Sequence, residues 1–512
     1  MKKIVTYLLI GLLGTTSCSK FEEINTNPEA TEKVTSAMIA TRIILNLANQ
    51  PTQKGFLQPY MLNKSIVWTE FPESFQYNGF GAGSLSFTAI NDAHFMPQFA
   101  TTEKLAKSYE GLMYFARAVK FFEATMDLGD IPYSDALKGE TDKQYFPKYD
   151  TQKEVFIGIL KELELADQAF AAGDNFAGDP IYAGNITKWR KLVNTYTLNV
   201  LLQLSIKEND ADLKIKTRFQ QVLANKPIFT TNADNYQLIR SDKAGQQYPF
   251  YKVGNNFTIY PTMSAEIVDR LKARSDRRLF YYGHPSPKKI EGGMTAANFD
   301  AYVGIDPSMK YDNIQKIKTS NDYSKLNDRY LEIATGEPTQ QLSYAQLCFM
   351  IAEAAARGWV SESALAWHKK GVEASMQFIY ENTPNTTQFH HGMPLDAAYI
   401  STYVGGLTLP AGVEAQIEEI ITQKYLASFL QSEFNTYYDY RRTGYPKWKI
   451  NPESSLNSEA PTKIPVRWRY PATEYEYNTE NVDAAVKRQF GGKDNSGVDD
   501  VNRLMWILDP QK

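Results

Sequence analysis

The residues of this chain best suited to bind a ligand are two groups of aromatic residues. Each group is interleaved with amides and acids. One group lies within residues 68–80 and the other within 248–260. Flat rings cover the C–H face of a sugar, while amide and carboxylate groups hydrogen-bond its hydroxyls. We therefore predict that these stretches bind a ligand, although rings that merely plug loops onto a core would give the same pattern. The predicted contact residues are Trp68, Tyr77, Asn78, Phe80, Tyr251 and Tyr260.

Motifs for catalysis, metals or cofactors are missing from the sequence. It contains no phosphate-binding loop of the Gly-x-x-x-x-Gly-Lys type, no His-Glu-x-x-His helix and no nucleophile elbow. Of the five histidines, His390 and His391 are adjacent and would not share a helix face. The sequence therefore predicts no catalytic residue, no metal and no cofactor. A glycosidase pair of carboxylates stays open, because it needs proximity in space rather than a motif.

Charge and hydrophobicity narrow the class of protein. The 512 residues hold 55 Lys and Arg against 58 Asp and Glu, so no basic surface for nucleic acid is expected. No apolar run approaches the roughly 18 residues of a membrane-spanning helix. Aromatic residues make up 13% of the chain, and tyrosine is the commonest of them. The composition predicts a globular protein with an unusually high content of aromatic residues.

The amino terminus has the pattern of an export signal. Lys2 and Lys3 precede an apolar stretch at 4–13, and Cys18 follows shortly after it. This arrangement resembles a bacterial lipobox, with Thr-Thr-Ser in place of the usual residues before the cysteine. We predict a signal peptide at 1–17, lipidation of Cys18 and a polar tether at 18–35; a plain signal peptide is the alternative. Cys348 then has no partner for an internal disulfide.

Helical periodicity predicts a mostly α-helical scaffold of four helix pairs. Capping boxes at Thr151–Glu154 and Ser343–Gln346 mark two of the helix starts. Paired helices that cannot bury their apolar faces alone predict a repeat solenoid, with an irregular helical bundle as the alternative. The predicted helices are 36–48, 103–126, 151–170, 187–205, 211–224, 265–274, 343–357, 361–381, 413–431 and 433–442. The predicted pairs occupy about 103–226 and 343–442, and irregular ligand-binding regions occupy about 50–90 and 230–340.

Several segments in the right order resemble the SusD/RagB-type outer-membrane lipoproteins of Bacteroidetes. Residues 129–133 read Gly-Asp-Ile-Pro-Tyr, and residues 441–446 read Arg-Arg-Thr-Gly-Tyr-Pro. Two positions depart from the usual pattern, since Asn185 replaces an Asp and Tyr438 stands where Trp is common. The other matching segments are 147–156, 184–192, 352–359 and 469–478.

The resemblance implies a single SusD-like domain over 36–512 with a tetratricopeptide-like helical scaffold. It also implies a lipid-anchored protein on the cell surface that binds an oligosaccharide, or a peptide in some relatives, without catalysis. The implied partner is a SusC-like TonB-dependent transporter of the outer membrane. A surface glycoside hydrolase and a purely structural helical-repeat scaffold are the alternatives from other classes.

Overall fold

A computed structural model describes residues 33–491 and 498–512, so the predicted signal peptide and Cys18 lie outside the described residues. Nineteen α-helices and four short strands account for the regular structure of the described ranges. This predominance of helix confirms the predicted mostly α-helical class. No helix of the described ranges has the length and apolarity needed to cross a membrane.

The elements follow one another from the amino to the carboxyl end of the described chain. The first half contains α1 (Ser36–Ala48), α2 (Lys54–Leu62), β1 (Ile66–Trp68), α3 (Phe95–Gln98), α4 (Glu103–Leu128), α5 (Gln152–Ala172), α6 (Ile186–Gln203), α7 (Ile215–Asn225) and β2 (Tyr236–Leu238). The insert, which is the part of the irregular region 230–340 that follows β2, contains β3 (Pro261–Met263), α8 (Ala265–Ala273), α9 (Arg278–Tyr282), α10 (Pro287–Glu291) and α11 (Tyr311–Ser320). The second half contains β4 (Thr339–Leu342), α12 (Tyr344–Ala356), α13 (Ala364–Glu381), α14 (Thr387–His390), α15 (Ala397–Gly406), α16 (Val413–Ala427), α17 (Asn435–Thr443), α18 (Ala472–Tyr477) and α19 (Thr479–Phe490).

The four predicted helix pairs are present and pack as neighbours: α4 with α5, α6 with α7, α12 with α13 and α16 with α17. Both predicted capping boxes form. Thr151 and Glu154 cap the start of α5, and Ser343 and Gln346 cap the start of α12. Each box satisfies backbone N–H groups that the first helical turn leaves unpaired. Apolar side chains from the pairs and from the insert form one continuous buried cluster.

The irregular region predicted at about 50–90 is more regular than expected, because it contains the helix α2 and the strand β1. Six of the nine α2 residues are buried and Pro59 lies inside the helix. A short helix that is buried nearly all round has no polar face, and its sequence therefore lacks a helical period. The insert also holds three helices beyond the predicted one, namely α9, α10 and α11.

The predicted helix 413–431 ends early at Ala427, and its partner begins at Asn435. Leu430, Ser432 and Glu433 have φ angles of 53°, 58° and 32°. These left-handed conformations are uncommon for residues with a side chain, and they cannot continue a right-handed helix. The segment between α16 and α17 is therefore a strained connection.

A buried ion-pair network joins four of the scaffold helices. Arg442 of α17 lies against both carboxylate oxygens of Glu353 on α12, with its Nη2 atom 2.9 Å from Oε2 of Glu353 and 2.9 Å from Oδ1 of Asp439. Lys424 of α16 is 2.7 Å from Oδ2 of Asp439, and Gln203 of α6 donates to Oδ1 over 3.0 Å. Burial opposes the ionisation of Glu353, but the charge and hydrogen bonds of Arg442, together with the charges of Arg357 and Lys424, lower its pKa to about 2.

Glu353→Gln should lower the free energy of unfolding by about 3 kcal/mol or more, because it leaves the Arg442 charge buried with one carboxylate fewer. Chemical denaturation at neutral pH measures this loss. The native pKa of Glu353 lies below its ordinary value, so its stabilisation is present above about pH 4.5 and is lost as the pH falls towards 2. The gap between the two proteins should shrink over that range. Exposed Glu381→Gln is the matched control, and an equal effect there would contradict a special role for Glu353.

Candidate ligand-binding site

The antiparallel pair of β1 and β3 brings the two aromatic groups of the sequence together. Trp68 of β1 lies opposite Pro261 of β3, which places it beside the residue before that proline, Tyr260. The ring centroids of Trp68 and Tyr260 are 5.5 Å apart, and those of Trp68 and Phe257 are 5.9 Å apart. Residues almost 200 positions apart in the sequence thus share one surface.

We call the group of rings formed by Trp68, Phe71, Phe257 and Tyr260 the aromatic patch. Trp68 is fully buried with its ring beside those of Phe257 and Tyr260, whereas Phe71 is 43% exposed and is linked to Trp68 through Lys54. Phe257 and Tyr260 are partly exposed, and Ile259 beside them is 68% exposed. Exposed apolar side chains set on a rigid framework are typical of ligand-binding loops.

Two lysines flank the aromatic patch. The Nζ atom of Lys54 lies 4.2 Å from the ring centroid of Phe71 and 5.3 Å from that of Trp68. The Nζ atom of Lys318 lies 5.8 Å from the ring centroid of Tyr260 and donates to Oγ1 of Thr69 over 2.8 Å. Burial, reinforced by the nearby Lys325 charge, lowers the pKa of Lys318. The patch therefore offers ring faces and N–H donors side by side.

A buried lysine orders the loop that carries the first aromatic group. The Nζ atom of Lys64 donates to the backbone oxygens of Phe75 over 3.1 Å and Gln76 over 2.6 Å, and to Oδ1 of Asn78 over 2.8 Å. Lys64 is only 1% exposed, and burial lowers its pKa to about 7. The side chain of Gln76 in turn accepts from the backbone N–H of Trp68 over 2.7 Å. Lys64 thus connects β1 to the loop at 75–78.

Three of the predicted contact residues are buried, which is the packing alternative that the sequence left open for them. Trp68 is 0% exposed, Tyr77 is 3% exposed and Asn78 is 5% exposed. The Tyr77 ring packs in a small apolar cluster with Val67, and its hydroxyl donates to the backbone oxygen of Met309 over 2.9 Å. Their direct contact with a ligand stays a prediction that requires neighbouring side chains to move.

The other predicted contact residues divide between the aromatic patch and elsewhere. Tyr260 lies in the patch beside Trp68. Phe80 lies in a different aromatic cluster, with its centroid 4.7 Å from that of Trp468. Tyr251 packs partly buried against the core, and no ring pair within the described ranges joins it to Trp68 or Tyr260. The structure therefore brings together Trp68 and Tyr260 but not Phe80.

Sequence reasoning missed Lys64, the residue that holds the loop in place. Its signal is a lone lysine in the mainly apolar stretch 60–68, which a charged side chain enters only if it finds partners. Phe71 and Phe257 belonged to the two aromatic groups but were not singled out, because exposure cannot be read from ring type alone. The pairing of β1 with β3 decides which rings face outwards.

Two features that would indicate metal or thiol chemistry are missing from the described residues. Within these ranges no group of three or more His, Cys, Asp or Glu side chains is placed to hold a metal ion. Cys348 is buried, and burial raises the pKa of its thiol to about 12. A thiol that stays protonated at neutral pH is a poor nucleophile.

Lys64→Met should lower the free energy of unfolding by about 2 kcal/mol or more, because three acceptors, two of them in buried hydrogen bonds, lose their donor. Hydrogen exchange should also become faster at the backbone amides of residues 76–79, which measures the loss of order in the loop directly. Lys487→Met, at an exposed position of α19, is the control and should change neither quantity. Unchanged exchange in the Lys64 variant would show that the loop is ordered by other contacts.

Comparisons with known proteins place this geometry in a family. A family model described as SusD-like, starch-binding and associating with the outer membrane matches residues 28–471. A SusD homolog from Bacteroides fragilis NCTC 9343 is 41% identical, with a TM-score of 0.89 over 93% of this chain and 100% of its own. An outer membrane protein from Bacteroides vulgatus ATCC 8482, assigned to nutrient binding, is 31% identical, with a TM-score of 0.83 over 93% and 100% of the two chains.

Two further similarities are more limited. A chitin-binding SusD homolog from Flavobacterium johnsoniae is 18% identical, with a TM-score of 0.69 over 93% of this chain and 98% of its own, and shows the fold alone. A beta/alpha-amylase from Paenibacillus polymyxa is 26% identical over 168 residues, which is 31% of this chain and 14% of the amylase. The family model and the Bacteroides structures span nearly the whole described chain. Because the match is this extensive, the chain belongs to the SusD-like family of outer-membrane-associated nutrient-binding proteins.

Proposed function

We propose that this protein captures an oligosaccharide at the cell surface and passes it to a SusC-like TonB-dependent transporter of the outer membrane. The aromatic patch is the observation that carries the proposal. It exposes Phe71, and in part Phe257 and Tyr260, and the last two pack beside the buried Trp68. Ring faces next to N–H donors match the alternating C–H faces and hydroxyls of a sugar.

The rigidity of the aromatic patch supports binding rather than packing as its role. Thr69 donates to the backbone oxygen of Tyr260 over 2.7 Å, and Gln315 donates to the backbone oxygen of Thr69 over 2.8 Å. These bonds fix three chain segments against one another while the outer rings stay exposed. A surface held in its binding shape loses little conformational entropy when a ligand arrives.

Membership of the SusD-like family supports the position of the protein at the outer membrane. In the proposal Cys18 carries the lipid anchor and residues 18–35 form the tether. The scaffold of paired helices offers an extended face for a transporter. An interface that persists through nutrient transfer should bury more than about 2,000 Å² in total, which is typical of permanent complexes.

Removing one ring of the aromatic patch tests whether the patch binds the ligand. Tyr260→Ala and Phe71→Ala should each weaken binding of maltoheptaose or soluble starch at least about tenfold, because a hot-spot ring contributes about 2 kcal/mol or more. Calorimetry measures the affinity, and thermal unfolding confirms that both variants stay folded. Trp68→Ala is not a clean test, because removing a buried tryptophan costs about 3–5 kcal/mol of stability.

Tyr477→Ala provides the matched control, since Tyr477 is 72% exposed, lies on α18 and is not part of the aromatic patch. Its binding should equal that of the wild type. A glycan array and a peptide library extend the test to other ligands. Retention of a peptide but of no glycan would favour the peptide-binding alternative, and release of reducing ends would favour a hydrolase.

Cys18→Ala should release the protein from the membrane or leave it unprocessed, because Cys18 is the only cysteine near the predicted signal peptide. One acyl chain binds membranes only marginally, so stable anchoring needs the several chains of a bacterial lipoprotein. Membrane fractionation measures the effect, and Cys348→Ala is the matched control. Mild detergent should extract the wild type together with a larger barrel protein; a monomer alone would contradict the proposed partnership.

A further inference from the structure

Exposed apolar side chains follow the outer side of α1, the first helix of the described chain. Met38 and Leu45 are 45% and 36% exposed, and they lie on one side of the helix because seven residues make about two turns. Val34, just before the helix, is 56% exposed. We call these three residues the α1 face. It is separate from the aromatic patch, to which α1 contributes no residue.

The inner side of α1 is packed into the protein, so the α1 face cannot turn inwards. The hydroxyl of Ser36 donates to the backbone oxygen of Met96 over 2.7 Å, and the hydroxyl of Thr41 donates to the backbone oxygen of Gly178 over 2.8 Å. These bonds fix the rotation of the helix about its axis. The large apolar residues on its buried side are Ile39, Ile43, Ile44 and Leu47.

Charged groups are almost absent from α1. Its 13 residues include one charged side chain, Arg42, and the guanidinium of Arg42 is paired with Asp92. A helix at a protein surface normally carries charged and polar residues on its outer side. Interface cores between proteins are depleted of charge, whereas helices that lie on a lipid surface are rich in Lys and Arg. The α1 face therefore fits a protein partner better than water or lipid.

A further exposed apolar residue lies close to the carboxyl end of α1. Asn49, which follows the helix, accepts at Oδ1 from Nη1 of Arg240 over 2.9 Å. Ile239, the neighbour of Arg240 in the chain, is 73% exposed, the highest value for a large apolar side chain in the described ranges. Single exposed apolar residues are ordinary, but several close together mark an interaction site.

The chain between the proposed lipid anchor and α1 is short. Cys18 and Lys33 are 15 residues apart, which spans at most about 50 Å when fully extended. No other element of the described ranges is joined to Cys18 by fewer residues. With Cys18 in the membrane, α1 is the element whose distance from the membrane the chain limits most tightly.

We propose that the α1 face is part of the surface with which this protein docks on the barrel of its transporter. The inference rests on the proposed function, which places a transporter in the membrane beside the anchor. Apolar side chains of the barrel cover Val34, Met38 and Leu45 and remove them from water. A permanent complex buries more than about 2,000 Å² in total, so the α1 face supplies one part of the interface and the helix pairs supply the rest.

Met38→Glu combined with Leu45→Glu places two charges on the α1 face and tests the proposal in the full-length, lipidated protein. Mild detergent should recover the transporter with the wild type, and at least about tenfold less of it with the double variant. Membrane retention, thermal unfolding and maltoheptaose affinity should be unchanged, because the anchor, the core and the aromatic patch are untouched. Val413→Glu, at a 51% exposed position of α16, is the matched control and should recover as much transporter as the wild type.

The outcomes separate this inference from the proposed function. Full recovery of the transporter with the folded double variant would overturn the role of the α1 face and leave the proposed function intact. Absence of the transporter from the wild-type extract would overturn both. Leu45→Glu alone carries the test if the double variant is not stably folded.

Photo-crosslinking in intact cells identifies what covers the α1 face. Benzoylphenylalanine in place of Leu45 should form an adduct with the transporter, identified by its peptide masses, and in place of Val413 it should form none. An adduct with lipid alone would assign the face to the membrane, and an adduct with residues 19–32 of the same chain would assign it to the tether. Either of these two results would overturn the proposal.

Discussion

The buried contact between Arg442 and Glu353 is the interaction on which the arrangement of the helix pairs depends. It connects α17 to α12, and through Asp439 it reaches Lys424 on α16 and Gln203 on α6. Helix pairs in a repeat scaffold could slide along their apolar faces, since apolar contacts have no direction. A charge network with fixed donor geometry removes that freedom, because any slippage would leave a buried charge unpaired.

The helices that the sequence predicted best are those with both a period and a start signal. The bounds of α1 match the prediction at both ends, and the two capping boxes form as expected. Local signals suffice for such helices because both the period and the capping residues lie within the helix itself or next to it in the sequence. The short helix α2 was not predicted, because its burial comes from contacts with distant parts of the chain. Tertiary packing rather than local propensity decides elements of that kind.

The same distinction applies to the candidate site, where the sequence identified the aromatic groups but tertiary contacts determine which rings are exposed. Ring type and spacing identified the two aromatic groups, and the structure places Trp68 and Tyr260 in contact. Which rings would be exposed depended on the pairing of β1 with β3, two strands of three residues each, too short to leave an alternating pattern. Trp68, which ends β1, lies beneath the surface for this reason, whereas Phe71 follows the strand and is exposed, and Phe80 packs with Trp468.

The way Lys64 holds the loop at 75–78 has a consequence for how specificity can diverge. Two of its three acceptors are backbone oxygens, which every amino acid supplies. The anchor is therefore largely indifferent to side-chain identity in the loop, and exposed positions such as Phe71 and Ser74 take no part in it. Residues at those positions can be exchanged without refolding the loop, so one framework can acquire new ligands through surface substitutions alone.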